Sequence, residues 1–304
     1  MSINKAIVPV AGLGTRLLPT TKALAKEMLP VGRLPVIHHV VEELLAAGIR
    51  KILFVTAHNK GAIADHFDDG SELIRRLEAE QHDLLDSCRF NYRAQGVEFF
   101  SVLQHIAPGQ HKPAGTGDAV AAGETFVSDE PFVVAFGDSF ITTHSGKPLL
   151  QRMIDSHQSC RASCTIGAFT VPENRVHHYG ILIPETTDQA DVRLTGILEK
   201  PHPEQTPSRL AISARYIFSS AIFERIRNAH PSAGGEIYLT DAIDSLISAG
   251  AMVRAVCLNA AEKRHDIGNH LAYFESFVDY ALDDPEWGEQ IRAYILEKLA
   301  RQRS

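Results

Sequence analysis

The chain is poor in the features that would place it in a specialised class. Its 304 residues include only four cysteines and one tryptophan. Cys88, Cys160, Cys164 and Cys257 are scattered, and the one short spacing, Cys160-x-x-x-Cys164, has no second ligand pair of the zinc type. They read as buried free thiols. No apolar run is long enough to span a bilayer, and Met1-Ser2-Ile3-Asn4-Lys5 leads into a strand without an apolar signal core. The expectation is a soluble, cytoplasmic protein without a membrane partner. Basic runs are missing and the formal net charge is -7, which argues against a nucleic-acid surface. The fifteen histidines are dispersed, and His38-His39 and His177-His178 lack metal-site spacing. Two familiar phosphate-binding motifs are missing as well. Leu17 stands where a dinucleotide fingerprint needs its third glycine, and the only Gly-Lys pair, Gly146-Lys147, is followed by Pro148.

What is present begins with a strand-length apolar run, Lys5 to Val10, followed by Ala11-Gly12-Leu13-Gly14-Thr15-Arg16. Glycines let backbone N–H groups approach an anion closely. Arg16 adds a planar charged fork suited to phosphate oxygens, and Lys22 and Lys26 add two mobile charges. Three cations around one turn point to a polyanion such as a triphosphate.

Downstream, Ile37, Val40, Val41, Leu44 and Leu45 repeat at helical spacing, with Gly48 just past the helix end, and Lys51 to Thr56 reads as the next strand. Strand, helix and strand in one short span make a βαβ unit, which favours a parallel sheet with ligands at the carboxyl ends of its strands. Ala62 to Phe67 and Ser71 to Leu85 read as helices, Val97 to Val102 as a strand, and Gly115-Thr116-Gly117-Asp118 as a second glycine-rich helix start. Pro131 to Phe136 is a near-continuous apolar run, as a central parallel strand should be, and ends in Gly137-Asp138. An aspartate at that place suits Mg²⁺, which is held by one or two carboxylates plus substrate phosphates. The alternative is a turn cap. Asp266 offers a second carboxylate, and Thr240 or Asp241 reads as a helix cap. Leu271, Phe274, Phe277, Val278, Ala281 and Leu282, then Ile291, Tyr294, Ile295 and Leu299, form two amphipathic helices, whose apolar stripes pack most simply on their own domain, with self-association as the second reading.

The pattern Gly12-Leu13-Gly14-Thr15-Arg16-Leu17-Leu18-Pro19, then Lys22, then Lys26-Glu27-Met28-Leu29-Pro30, resembles the signature of the sugar-1-phosphate nucleotidyltransferases, most closely their uridylyl-transferring members. Tyr179-Gly180, Glu199-Lys200-Pro201 and Gly235 to Ile243 follow in the family's order, so the resemblance covers nearly the whole chain. It implies an α/β fold with a Rossmann-like, mixed and mainly parallel sheet flanked by helices, a smaller sugar-binding β region, and C-terminal helices. The implied organisation is a single nucleotidyltransferase domain over 1–304, with a nucleotide-binding part near 1–160, a sugar-binding part over 161–268 and C-terminal helices over 269–304.

The implied reaction is Mg²⁺-dependent, with UTP and glucose 1-phosphate as substrates, UDP-glucose and pyrophosphate as products, and a homodimer or homotetramer as the assembly. By the same resemblance, Ala11, Gly12, Gly14, Thr15, Glu27, Gln104 and Gly117 would hold the nucleotide, the last two at the base. Gly180, Glu199 and Lys200 would hold the sugar phosphate, Asp138 and Asp266 the metal, and Arg16, Lys26 and Lys200 would act in catalysis. The chain departs from the family at the inserted Gln110-His111-Lys112-Pro113 and at Asp118, where a histidine is commoner in the uridylyl-transferring members. Those departures keep open another nucleotide such as dTTP, or another hexose 1-phosphate. A catalytically weak regulatory relative is the alternative of a different class, against which stand Thr15 and Arg16.

Overall fold

The structure, a computed structural model, describes residues 3–80, 92–106, 112–187, 189–232 and 234–303. The chain runs from β1 (Lys5–Pro9) through three 3-10 turns and a short hairpin, β2 (Pro30–Val31) and β3 (Leu34–Pro35), into α1 (Val36–Ala46). Next come β4 (Lys51–Thr56), α2 (Gly61–His66), α3 (Glu72–Ala79) and β5 (Glu98–Leu103). After them α4 (Thr116–Ala121) and α5 (Glu124–Val127) lead to β6 (Phe132–Ala135) and β7 (Ser139–Thr143). The second half holds α6 (Leu149–Ser159), β8 (Cys164–Thr170), β9 (Gly180–Pro184), β10 (Asp191–Glu199) and β11 (Leu210–Phe218). It closes with α7 (Ala221–Arg227), α8 (Leu239–Ser248), β12 (Val253–Cys257), β13 (Glu262–Asp266), α9 (His270–Leu282) and α10 (Gly288–Arg303).

Nine strands form one sheet in the order β5-β4-β1-β6-β11-β8-β12-β10-β9, and β9 also pairs with β11. Its first four strands are mutually parallel, in keeping with the βαβ reading. Beyond β6 the pairing is antiparallel except between β8 and β12, so the parallel character belongs to the N-terminal half of a mixed sheet.

Strand alternation divides the core between the two faces of this sheet. Ala6 and Val8 of β1, Ile52 and Phe54 of β4, and Val133 and Ala135 of β6 pack on one side with Val36, Ile37, Val40, Val41 and Leu44 of α1. Ile7, Leu53, Val55, Phe132 and Val134 pack on the other side with Val120, Ile222, Phe223 and Ile243. A strand buried on both faces is continuously apolar, which is why β1 was readable as a strand and β6 as a central one. Truncating one such side chain, for instance Ile7→Ala, should cost about 2–5 kcal/mol.

The described part of the helix expected over Ser71 to Leu85 is α3, with Ser71 as N-cap accepting from the Ile74 N–H at 3.4 Å. Residues 81–85 and Cys88 lie outside the described residues. Of the other thiols only Cys164, the first residue of β8, is buried; Cys160 at the end of α6 and Cys257 at the end of β12 are half-buried. The C-terminal stripe also departs from the expectation. Leu271, Phe274, Phe277 and Val278 are exposed, while Tyr273 and Tyr280 of the same helix pack against the core. α9 therefore turns its tyrosines inward and leaves its main apolar stripe outside.

Candidate active site

Where β1 ends, the chain enters a cleft of about 480 Å³. Val10 and Ala11 are still buried, and Gly12 to Gly14 then run along the cleft. Gly14 has φ 67°, a left-handed conformation in which a glycine is unstrained. The Thr21 hydroxyl donates to the Gly14 carbonyl at 2.8 Å and fixes the turn. No α-helix follows directly. A 3-10 turn over Thr15–Leu17 buries Leu17 and leaves Arg16 exposed at the cleft wall. Lys26 comes back over the turn, so that a β-carbon built on Gly12 would lie 3.6 Å from its ammonium. Lys22 does not join them. It is exposed and off the cleft wall, because its turn points Thr21 inward instead.

Lys26 Nζ donates to Asp138 Oδ2 at 2.5 Å. Burial works against both charges, but each stabilises the other. Asp138 is held at about 2, and Lys26 is raised above its ordinary value with help from Glu27. Gly137, just before Asp138, permits close packing here: a β-carbon on it would come within 2.5 Å of Val10 Cγ1 and 3.3 Å of Glu27 Cγ. Glu27 lines the cleft, yet its side chain is 1% exposed and accepts from Lys60 Nζ at 2.6 Å. Burial pushes the Glu27 carboxyl up and the Lys60 ammonium down. Glu27 thus fixes the wall behind Lys26. Lys60 was not anticipated, since it lies 33 positions from its partner without any local pattern.

β7 leaves Asp138 directly and pairs antiparallel with β13, with Ser139 in register with Asp266. The Ile267 N–H also donates to the Asp138 carbonyl at 3.2 Å. This ladder, which the sequence reading missed, brings the backbones of the two aspartates to one place. Their carboxylates are engaged separately. Asp266 accepts from Arg264 Nη1 at 2.8 Å and from the Gly268 N–H at 2.5 Å, and it lines an adjoining hollow, whereas Gly268 lines the main cleft beside Arg16. No cluster of three or more His, Cys, Asp or Glu suited to a metal occurs among the described residues. Asp138, directly before the ladder, and Asp266, its last residue, are nevertheless hard oxygen donors of the type Mg²⁺ takes alongside phosphates and water.

Behind Asp138 lies Arg215 of β11, fully buried. Its Nε and Nη2 reach the two carboxylate oxygens of Glu43 at 2.8 Å each, and it donates to the carbonyls of Phe136 at 3.4 Å and Ser139 at 2.8 Å. The loop bearing Asp138 is thereby held on both sides.

Gln104 follows β5 at the strand's carboxyl end, lines the cleft and is 9% exposed. Gly117 does not accompany it there. Its N–H donates to the Ile237 carbonyl at 2.9 Å and it packs against Ile237, so Gly115 and Thr116 provide the cleft wall instead. Of the inserted segment, Lys112 lines the cleft and pairs with Glu236 at 2.6 Å, while Gln110 and His111 lie outside the described residues.

Gly180 and Glu199 face each other across the β9–β10 ladder, and the Lys200 N–H donates to the Tyr179 carbonyl at 3.0 Å. A β-carbon on Gly180 would lie 2.6 Å from Ile212 Cδ1 and 3.4 Å from Glu199 Oε2, so only glycine leaves this shelf open. Thr240 is not a cap; its hydroxyl donates to Glu199 Oε2 at 3.1 Å. Lys200 adopts φ 45° directly before Pro201, a sparsely populated backbone for a lysine. Its ammonium lies 3.3 Å from Glu199 Oε1 and 5.7 Å from the ring centroid of Tyr238, which lines the main cleft. Tyr238 and Glu236 are the structural link between cleft and shelf.

A cleft at the carboxyl edge of parallel strands, with a glycine turn for its floor and cations at its wall, defines an α/β enzyme that handles polyphosphates. The chain belongs to the nucleotidyl transferase family, whose model matches residues 5–282. It is 40% identical over 302 residues to a UTP–glucose-1-phosphate uridylyltransferase of Streptococcus pyogenes serotype M3, covering 97% of this chain and 96% of the relative. Its structure is similar to a UTP-bound UGPase from Acinetobacter baumannii, with a TM-score of 0.86 at 33% identity over 97% of this chain and 99% of the other. A UDP-glucose pyrophosphorylase complexed with UDP-glucose aligns with a TM-score of 0.77 at 29% identity, over 93% of this chain and all of the other.

Proposed function

We propose that the chain transfers the uridylyl group of UTP to glucose 1-phosphate, forming UDP-glucose and releasing pyrophosphate. The observation that carries this reading is the junction at Tyr238, which lines the nucleotide cleft and stacks beneath the Lys200 ammonium of the Glu199 shelf. Two phosphorylated substrates would meet there. The uridylyltransferase relative and the UTP- and UDP-glucose-bound neighbours support the choice of pair.

In the proposed reaction a phosphate oxygen of the sugar phosphate attacks the α-phosphorus in line. The bond from that phosphorus to the bridging oxygen of the β-phosphate breaks, and pyrophosphate leaves with the electron pair. The attacking oxygen is an anion at neutral pH, so an enzyme nucleophile is unnecessary. The task of the protein is to bring two polyanions together and neutralise the charge that develops on the leaving group. The turn from Ala11 to Thr15 would cradle the triphosphate, with Arg16 and Lys26 on its oxygens, and Gln104 would face the base. Glu199 and the open Gly180 would accept the sugar hydroxyls, and Lys200 the sugar phosphate. Asp138 and Asp266 would hold Mg²⁺ together with the substrate phosphates. When bound, the ion would offset negative charge at the reacting phosphates.

The division into a nucleotide part near 1–160, a sugar part over 161–268 and C-terminal helices over 269–304 follows the same placement and is part of the proposal. No helix among the described residues is long and apolar enough to cross a membrane; a cytoplasmic location is part of the proposal. The exposed Leu271, Phe274 and Phe277 support self-association, as a homodimer or homotetramer.

The test is pyrophosphate release with Mg²⁺ for UTP, dTTP, ATP, CTP and GTP, each with glucose 1-phosphate and then with other sugar phosphates. Fast release confined to UTP with glucose 1-phosphate is expected. A preference for another pair would move the substrate while keeping the chemistry. Silence with every pair, in folded protein, would favour a regulatory relative.

A further inference from the structure

The Gln104 side chain is held by two groups that only accept hydrogen bonds. Its Nε2 donates to Asp118 Oδ2 at 2.7 Å and to the Gly115 carbonyl at 3.1 Å. A carboxamide can ordinarily face a site with either end, because its oxygen and nitrogen have nearly the same shape. Here the choice is forced. A carboxylate and a backbone carbonyl cannot both sit against the amide oxygen, so the NH₂ must turn to them and both of its hydrogens are used. The remaining hydrogen-bonding atom of Gln104, the carbonyl oxygen, is left for the cleft that this residue lines. The backbone beneath is equally fixed, since the Gln104 N–H extends the parallel ladder by donating to the Thr56 carbonyl at 2.9 Å. Asp118 itself is not on the cleft wall; it stands in the first turn of α4, where a carboxylate is favoured by the helix dipole.

We propose that Asp118 sets the base preference of the site by locking Gln104 with its carbonyl oxygen toward the bound base. This rests on the uridylyl-transfer reading above, and deepens it at one position. Uracil and cytosine have the same outline and differ in hydrogen-bonding sign at N3 and at the neighbouring 4-substituent, an oxygen in uracil and an amino group in cytosine; the acceptor proposed here reads N3. In uracil N3 carries a hydrogen that a fixed acceptor takes up, and in cytosine it presents a lone pair that the same acceptor repels. A freely turning glutamine would serve both bases by rotating half a turn, whereas one pinned by an acceptor-only neighbour serves the imide alone. Thymine carries the same imide, so this device separates UTP from CTP and leaves UTP and dTTP to be told apart elsewhere. Asp118 on this account is a positioning residue, acting on the base only through Gln104.

The experiment is steady-state pyrophosphate release by the full chain, with kcat/KM measured for UTP and for CTP at saturating glucose 1-phosphate. Wild type is compared with Asp118→Ala and Asp118→Asn, and all three are checked for matching melting temperature. Asp118→Ala should lower the UTP-to-CTP ratio by about tenfold or more, because a buried polar group that discriminates by hydrogen bonding loses its orientation. The loss for UTP should fall on KM more than on kcat. Asp118→Asn keeps one acceptor oxygen against the Gln104 amide and should recover most of the ratio, which a purely structural role for the charge at the helix start would not require. A ratio for Asp118→Ala within twofold of wild type, in an enzyme that itself prefers UTP, would overturn the inference while leaving the function intact. A wild-type enzyme without preference for UTP would overturn both.

Discussion

Lys26 and Asp138, 112 positions apart in the chain, meet in a 2.5 Å ion pair on the wall of the main cleft. Each is the other's main electrostatic support against burial. In the proposed reaction both act on the same phosphates, Lys26 directly and Asp138 through a cation. Lys26→Ala removes a preorganised charge and should lower kcat about 100- to 1,000-fold. It also strips Asp138 of its partner, so the melting temperature should fall. Turnover near normal in Lys26→Ala would remove Lys26 from the chemistry.

The buried pair Arg215–Glu43 leads to a prediction about support rather than contact. Arg215→Met leaves the Glu43 carboxylate, 9% exposed, without its cationic partner and with only the Ile141 N–H at 3.2 Å, and should destabilise the fold by about 3–5 kcal/mol. The double variant Glu43→Leu/Arg215→Met removes both charges and should regain much of that stability in a denaturant titration. Activity should not return with it. The carbonyls of Phe136 and Ser139, which Arg215 holds on either side of Asp138, remain unsatisfied. Recovery of stability and turnover together would show that Arg215 serves the fold alone.

How much of this was legible in the sequence depended on whether cause and effect lie near each other in the chain. β1, the glycine turn and the central β6 could be read because apolar runs and turn residues are local signals, and both strands are buried on two faces. The β7–β13 ladder could not. Ser139–Thr143 starts immediately after Gly137-Asp138, and Glu262–Asp266 is made almost wholly of charged residues, so neither shows strand alternation. Arg215 finds Glu43 172 positions away, and Lys60 finds Glu27 by the packing of a different helix, so no spacing could announce either pair. The C-terminal helices were legible as helices, but a stripe of apolar residues does not say whether its own domain covers it. For Leu271 and Phe274 it does not.

Acid should weaken the fold through buried neutral histidines. His157 of α6 is 6% exposed and shares a 3.1 Å hydrogen bond with Thr165. Burial lowers it from 6.5 to about 4, and burial together with His66 and His39 does the same to His38. With folded values below the unfolded ones, the unfolded chain takes up protons first. The stability is fully present above pH 6.5, declines as the pH falls, and is lost by about pH 4. His157→Asn, which can keep a bond to Thr165 without titrating, should show a shallower loss of melting temperature over that window. An unchanged slope would exclude His157 as a contributor.

The shelf at Glu199 gives a prediction that separates the two substrates. Thr240 donates to Glu199 Oε2 at 3.1 Å, and Lys200 lies 3.3 Å from Glu199 Oε1, so both oxygens of the carboxylate are oriented by neighbours. Thr240→Val keeps the shape of the side chain and removes the donor. Losing one hydrogen bond to a charged group is worth about 1.5–3 kcal/mol where the geometry is fixed. The KM for glucose 1-phosphate should therefore rise about tenfold or more, while the KM for UTP, whose cleft Thr240 does not line, stays within about twofold. Lys200→Ala should act on kcat as well, by about 100-fold or more, because its charge would meet the attacking phosphate. If Thr240→Val raised both KM values equally, the shelf would belong to the nucleotide site and the sugar phosphate would have to bind elsewhere.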